Sequence, residues 1–277
     1  MSAGNVAPLH MESSGSGPPL VFWHGWGLNL RVFDALRAAL DTDWRTVAVD
    51  LPGHGASAWN AARADDNESA TAALLEPLLE SLPPDSTLVG WSLGGQLALR
   101  AAALAPDRVA RLVLISTTPC FVRRDHWPHG VDAAVLQQMR TRLREDYHGT
   151  LRDFLELQVR GSRDAARVRQ ALAAALSAHG EAQPAALAAG LRSLADTDLR
   201  PQLASLAVPT LVISGEYDRV TPPGAGAALA AALPQGRLLS IARAAHAPFL
   251  SHAEIVTTAL REWRELRAFD TAPDRAP

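Results

Sequence analysis

The chain has 277 residues, is 48% hydrophobic, carries a formal net charge of −3 and contains one cysteine. That length suits one large domain, or a core with an inserted subdomain. The single Cys120 excludes an internal disulfide and a cysteine-based metal site, and the mildly acidic balance lacks the basic footprint of a nucleic-acid binder. No charge-free apolar run reaches the about 18 residues of a membrane span. Residues 1–5 lack a basic stretch leading into an apolar one, so no signal peptide, no membrane partner and a cytoplasmic enzyme are expected.

Residues 5–23 read as a short strand, a Ser/Gly-rich turn at Ser13–Gly17 and the apolar strand Leu20–Trp23, which ends in His24, Gly25, Trp26 and Gly27. An amphipathic segment, Arg31–Leu40, precedes a second buried strand at Thr46–Val49 and the tight turn Asp50–Gly55. A helix over about Glu68–Leu82 leads to the apolar run Thr87–Val89 and then to Gly90, Trp91, Ser92, Leu93, Gly94 and Gly95, followed by helical sequence over Gln96–Ala105. Val109–Ile115 is a further continuous apolar strand. Short β-branched runs alternating with helical segments indicate βαβ units: an α/β fold with a mostly parallel, twisted sheet covered by helices on both faces.

From Thr118 to about Pro201 the alternation stops and the periodicity is helical, with Val135, Leu136, Met139 and Leu143 on one face and Leu151, Phe154 and Leu155 on another. Thr150 reads as a helix N-cap and Pro184 as a helix start. The chain therefore divides into core (1–117), a helical lid (118–201) inserted after the sixth strand, a second part of the core (202–267) and a disordered tail (268–277). In the second part, Thr210–Ile213 and Arg237–Ile241 are strands, an alanine-rich helix spans 224–233, and a last helix runs from about Ala253 to Arg267.

The Gly-x-Ser-x-Gly pattern around Ser92, between a strand and a helix, has the form of a nucleophile elbow. A serine hydroxyl needs a base, an orienting acid and oxyanion donors to react. Asp218 follows the strand ending near Ser214, and His246 follows the strand ending at Ile241, so Ser92, Asp218 and His246 stand in the Ser, Asp, His order after three separate strands. Glu216 competes with Asp218 but lies nearer its strand end, and His252 reads as a cap or packing residue. The oxyanion donors expected are the backbone N–H groups of Leu93, at the start of the elbow helix, and Trp26. The other histidines, 10, 24, 54, 126, 129, 148 and 179, read as turn, surface or hinge residues without metal-ligand spacing, and no metal or cofactor is expected.

These residues are similar to the α/β-hydrolase superfamily. Residues 24–29, 50–55, 90–95, 118–121 with 125–128, 154–158 and 244–249 resemble, within it, the pimeloyl-acyl-carrier-protein methyl ester esterase family of biotin synthesis, with similarity over about 20–265. The resemblance implies hydrolysis of the methyl ester of a pimeloyl chain held on its acyl-carrier protein. It also implies substrate contacts at Trp26, Ser92, Leu93, Phe154, Leu155, Glu156, Leu157, Gln158 and His246. Leu28, Phe121, Trp127, Phe154 and Leu157 are candidates for an apolar acyl slot, while packing is favoured for Leu155 and Leu143. Carrier proteins of this kind are acidic, and arginines outnumber acids between residues 139 and 170; Arg152, Arg160 and Arg167 are candidate docking residues. The partners expected are the loaded carrier and small-molecule esters, acting on a monomer. The rival readings are a broad short-chain carboxylesterase or lactonase on the same triad, and a hydrolase-fold binding protein without turnover; a haloalkane dehalogenase would have aspartate at position 92.

Overall fold

The computed structural model describes residues 8–60 and 67–265; the expected disordered tail, 268–277, lies outside them. Seven strands, β1 (Met11–Ser14), β2 (Pro19–Trp23), β3 (Arg45–Val49), β4 (Ser86–Trp91), β5 (Val109–Ile115), β6 (Thr210–Gly215) and β7 (Gly236–Ile241), form one sheet in the order β1-β3-β2-β4-β5-β6-β7. β1 pairs antiparallel with β3, Met11 opposite Val49. Every other pairing is parallel. Every residue of β4 is buried, as a parallel strand covered on both faces requires.

Period-two alternation sends Val21, Trp23 and Leu88 to one face of the sheet and Leu20, Phe22 and Val89 to the other. Helices α2 (Asn67–Ser81) and α3 (Leu93–Leu104) contribute Leu74, Leu78 and Leu97 to the first cluster. Helices α1 (Asp34–Leu40) and α10 (Ala253–Glu265) contribute Leu36, Leu40, Leu260 and Trp263 to the second.

The helical insertion follows β5, the fifth strand, and not a sixth, because among the described residues no strand precedes β1 and none interrupts the β1–β2 turn. After Ile115 the chain runs as irregular backbone, tied by bridges between Cys120 and Asp198 and between Val122 and Val131. It then forms α4 (Ala133–Glu145), α5 (Tyr147–Val159), α6 (Ala165–His179) and α7 (Pro184–Asp196) before β6, α8 (Pro223–Ala232), β7 and the short α9 (Pro248–Ser251). The α5 N-cap is Asp146, not Thr150. The Asp146 carboxylate accepts from the Gly149 N–H at 2.9 Å, while Thr150 lies inside the first turn and its hydroxyl donates to the Asp146 carbonyl at 2.7 Å. Pro184 does open α7.

Side chains from the core hold the ends of these helices. Asn29 Nδ2 donates to the carbonyls of Ala175 (3.0 Å) and Gly180 (3.1 Å), satisfying acceptors at the C-terminus of α6. His179 Nε2 lies 2.7 Å from Asp50 Oδ2, beside the His10 ring at 4.9 Å. His10, Asp50 and His179 thus approach one another as potential metal ligands, which their spacing in the sequence does not reveal. The buried Asp50 carboxylate, however, already accepts from the N–H groups of Leu30 (2.8 Å) and Ala56 (3.0 Å) as well as facing His179, the bonding of a structural acid. Among the described residues no helix is long and apolar enough to cross a membrane.

Candidate active site

The β4–α3 junction holds Ser92 at φ 55° and ψ −117°, a left-handed conformation that costs a non-glycine residue roughly 1–3 kcal/mol. Neighbouring bonds enforce it: the Ser92 N–H donates to the Ile115 carbonyl (3.0 Å), and the Ser92 carbonyl accepts from the N–H groups of Gly95 (3.0 Å) and Gln96 (3.2 Å) and from the Thr117 hydroxyl (2.7 Å). A Cβ at Gly94 would collide with the carbonyl oxygens of Trp23 and His24, so only glycine lets α3 cross β2 this closely. Leu93 is the first residue of α3, so its N–H has no intrahelical partner.

The loops after β6 and β7 bring Asp218 and His246 together. His246 Nδ1 lies 2.8 Å from Asp218 Oδ2 and 3.0 Å from Oδ1, with both residues buried. Asp218 Oδ1 also accepts from the N–H groups of Val220 (2.8 Å) and Thr221 (2.9 Å), which fixes the carboxylate. Two further bonds hold the histidine backbone: the Trp91 indole N–H donates to the His246 carbonyl at 2.8 Å, and the His246 N–H donates to the Gln158 carbonyl at 3.1 Å. His246 Nε2 is buried and without a hydrogen-bond partner. With Nδ1 committed to Asp218, Nε2 is the ring atom left to exchange a proton. Glu216 is exposed and plays no part in this pair.

Ser92 opens into a cavity whose other walls are largely apolar, from Trp26, Phe121, Leu136, Met139, Phe154, Leu157, Leu191 and Val220 among others. The expected slot residues Phe121, Phe154 and Leu157 line it. Leu28 and Trp127 do not: Leu28 packs in the sheet cluster with Leu30 and Phe33, and the Trp127 indole donates to the Cys120 carbonyl at 2.7 Å. Among the contacts implied by the resemblance, Trp26 lies beneath the insertion. Its indole donates to the Leu187 carbonyl (2.9 Å) and meets the Phe154 ring edge-on, centroids 5.1 Å apart. Leu155 packs against the second sheet cluster, and the exposed Glu156 pairs with Arg169 at 3.1 Å, so neither lines the cavity. Gln158 is buried, with both side-chain amide atoms unpartnered.

Arg152 and Arg160 are exposed and, among the described residues, have no side-chain partner. Arg167 donates to the Leu250 carbonyl at 2.8 Å and lies 3.5 Å from Asp164, which commits it to joining α6 to α9. Beneath the insertion, His24 Nε2 accepts from the Leu51 N–H at 2.9 Å, and burial pushes its pKa down. Burial, reinforced by His24, pushes His54 down to about 3. The bonds from Thr117 and Trp91, and the presence of Arg219 in the cavity wall, were not anticipated. The one available signal was that Arg219 sits beside Asp218 in a loop leaving a strand's C-terminal end.

A parallel sheet with a strained serine at one strand end and an Asp–His pair at two others defines a hydrolase. The α/β hydrolase fold family matches residues 18–253, and the chain belongs to that family. It is 42% identical to the pimeloyl-[acyl-carrier protein] methyl ester esterase of Nitrosomonas europaea, over 90% of this chain and 96% of that protein. It is 41% identical to the enzyme of the same name from Stenotrophomonas maltophilia, over 92% and 96%. Among solved structures, an esterase from Exiguobacterium antarcticum superposes with a TM-score of 0.82 at 24% identity, over 93% of this chain and 96% of that one, a likeness of fold.

Proposed function

We propose that the protein is a serine esterase that hydrolyses the methyl ester of pimeloyl-acyl-carrier protein to the free carboxylate and methanol. The observation that carries this reading is the buried Asp218–His246 pair with a free Nε2, held at the strand ends that also present Ser92 to an apolar cavity. His246 Nε2 takes the Ser92 hydroxyl proton as Oγ attacks the ester carbonyl. The N–H groups of Leu93 and Trp26 hold the oxyanion. The C–O bond to the methoxy group breaks, and methanol leaves with the proton from His246. Water then gives a proton to His246 as it attacks the acyl-serine, and the acyl C–Oγ bond breaks as His246 passes that proton to Oγ, releasing the carboxylic acid, which ionises, and restoring Ser92. Asp218 keeps Nδ1 protonated and stabilises the imidazolium between these steps.

An extended acyl chain suits a slot walled by Phe121, Phe154 and Leu157. In this reading residues 118–201 are the lid, the protein acts as a cytoplasmic monomer, and an acidic carrier meets the exposed Arg152 and Arg160, with Arg167 holding the lid to the core. Expression in cells lacking their own pimeloyl-carrier esterase tests the reading. The wild-type chain should restore growth without biotin and the Ser92→Ala variant should not; failure of the wild type, with the protein present and folded, would contradict it.

A further inference from the structure

The acyl cavity contains one group that the proposed substrate does not explain. Among the described residues Arg219 is the one charged side chain in its wall, and it has no hydrogen-bond or ion-pair partner. Arg219 is exposed, so water solvates its charge while it borders the apolar wall, and the guanidinium is free to meet an anion at the cavity mouth. Depth in the cavity says which end of a bound ester it meets. Ser92 is buried, at 6% exposure, whereas Arg219 is exposed and so borders the cavity on its solvent side. An ester bound with its carbonyl at Ser92 therefore presents the far end of its acyl chain toward the guanidinium. On a carrier-linked chain that end is a neutral thioester. On a free half-ester of a dicarboxylic acid it is a carboxylate, the anion a planar guanidinium pairs with bidentately.

We propose that Arg219 gives the same site a second substrate class, free monomethyl esters of linear dicarboxylic acids, by pairing with their distal carboxylate. The inference rests on the esterase reading. The chemistry is the same hydrolysis: water is consumed, the C–O bond to the methoxy group breaks, and methanol and a dicarboxylate leave. Chain length matters, because the carboxylate must span the distance from Ser92 to the rim. One length should be cleaved best, with shorter and longer members worse.

The test compares monomethyl dicarboxylates of increasing length with methyl esters of monocarboxylic acids of the same length. In the wild type the ratio of kcat/KM values, half-ester over neutral ester, should peak at one length. In Arg219→Gln that ratio should fall roughly five-fold, the range for a partly exposed bidentate pair. Arg219→Lys should recover part of it, and added salt should erode it in the wild type. Calorimetric binding of the best monomethyl dicarboxylate to Ser92→Ala, with and without Arg219→Gln, reads the same contact without turnover and should show the same loss. A ratio unchanged by Arg219→Gln, or equal binding by the two Ser92→Ala proteins, would overturn the proposal. A protein that binds the half-ester through Arg219 but cleaves neither ester would instead overturn the esterase reading.

Discussion

The loops at the strand ends and the helices laid over them are built on different principles. Ser92, Asp218 and His246 are each held by main-chain geometry or by several hydrogen bonds. In α4–α7 the residues facing the cavity are held by apolar contact, and the helices are fastened to the core through a few polar bonds from Asn29, Asp50 and Trp26. In the proposed function the first region specifies what reaction occurs, and the second what can reach it.

Substitutions should therefore separate chemistry from access. The largest effect is expected from Ser92→Ala, which should lower kcat by at least about 10⁴-fold on every ester while the circular dichroism spectrum and melting profile stay native. An activity loss confined to one substrate would merge the two regions that the structure keeps apart.

Next in size is an acid effect on the turns beneath the insertion. Folded His54 stays neutral down to about 3, whereas in the unfolded chain it takes a proton near its ordinary value of about 6.5. Between those values the unfolded state binds more protons, so this group lowers stability as pH falls below about 6.5 and has no effect on the slope well above it. The loss should be on the order of 2 kcal/mol by pH 5. Denaturant midpoints at pH 7 and pH 5 measure it, and His54→Gln should flatten the dependence; an equally steep profile in the variant would assign the acid sensitivity elsewhere.

Smaller again, Phe154→Ala should raise KM for a long-chain ester about five- to ten-fold by removing apolar wall, with an acetate ester changing less than about two-fold. Equal effects on both would move Phe154 from access to chemistry. Smallest, Arg152→Glu with Arg160→Glu should raise KM for the carrier-linked ester by roughly three- to five-fold, more at low salt than at high, and leave a small ester unaffected. Identical changes on both substrates would show that these arginines do not meet the carrier.

The same division explains what could be read from the chain. The elbow was legible because a close helix–strand crossing admits only glycine at position 94, the Asp because it follows the wholly buried strand β6, and the His because it follows the apolar residues of β7, although that strand lies at the sheet edge with Leu238 exposed. Partners chosen by tertiary approach left no such trace. The Trp91 indole finds the His246 carbonyl from 155 residues away, and His10 and His179 approach Asp50 from opposite sides in the sequence, His179 from 129 residues away. Within the insertion the helices were visible from their periodicity, but Thr150 and Asp146 are both cap-forming types. A single residue, Asp146, separates α4 from α5, so the boundary was displaced. Arg152 and Arg167 look alike in sequence, and only packing shows that one is free and the other tied to Leu250.

In the proposed function Ser92 and its buried partners act on a methyl ester delivered by a carrier protein. Mass spectrometry of methyl-pimeloyl-acyl-carrier protein incubated with the purified protein tests it most directly. The expected result is loss of one methylene's mass from the carrier's acyl group with stoichiometric methanol, the thioester intact, and no change with Ser92→Ala. Cleavage of the thioester instead, or methyl loss that persists in Ser92→Ala, would contradict it.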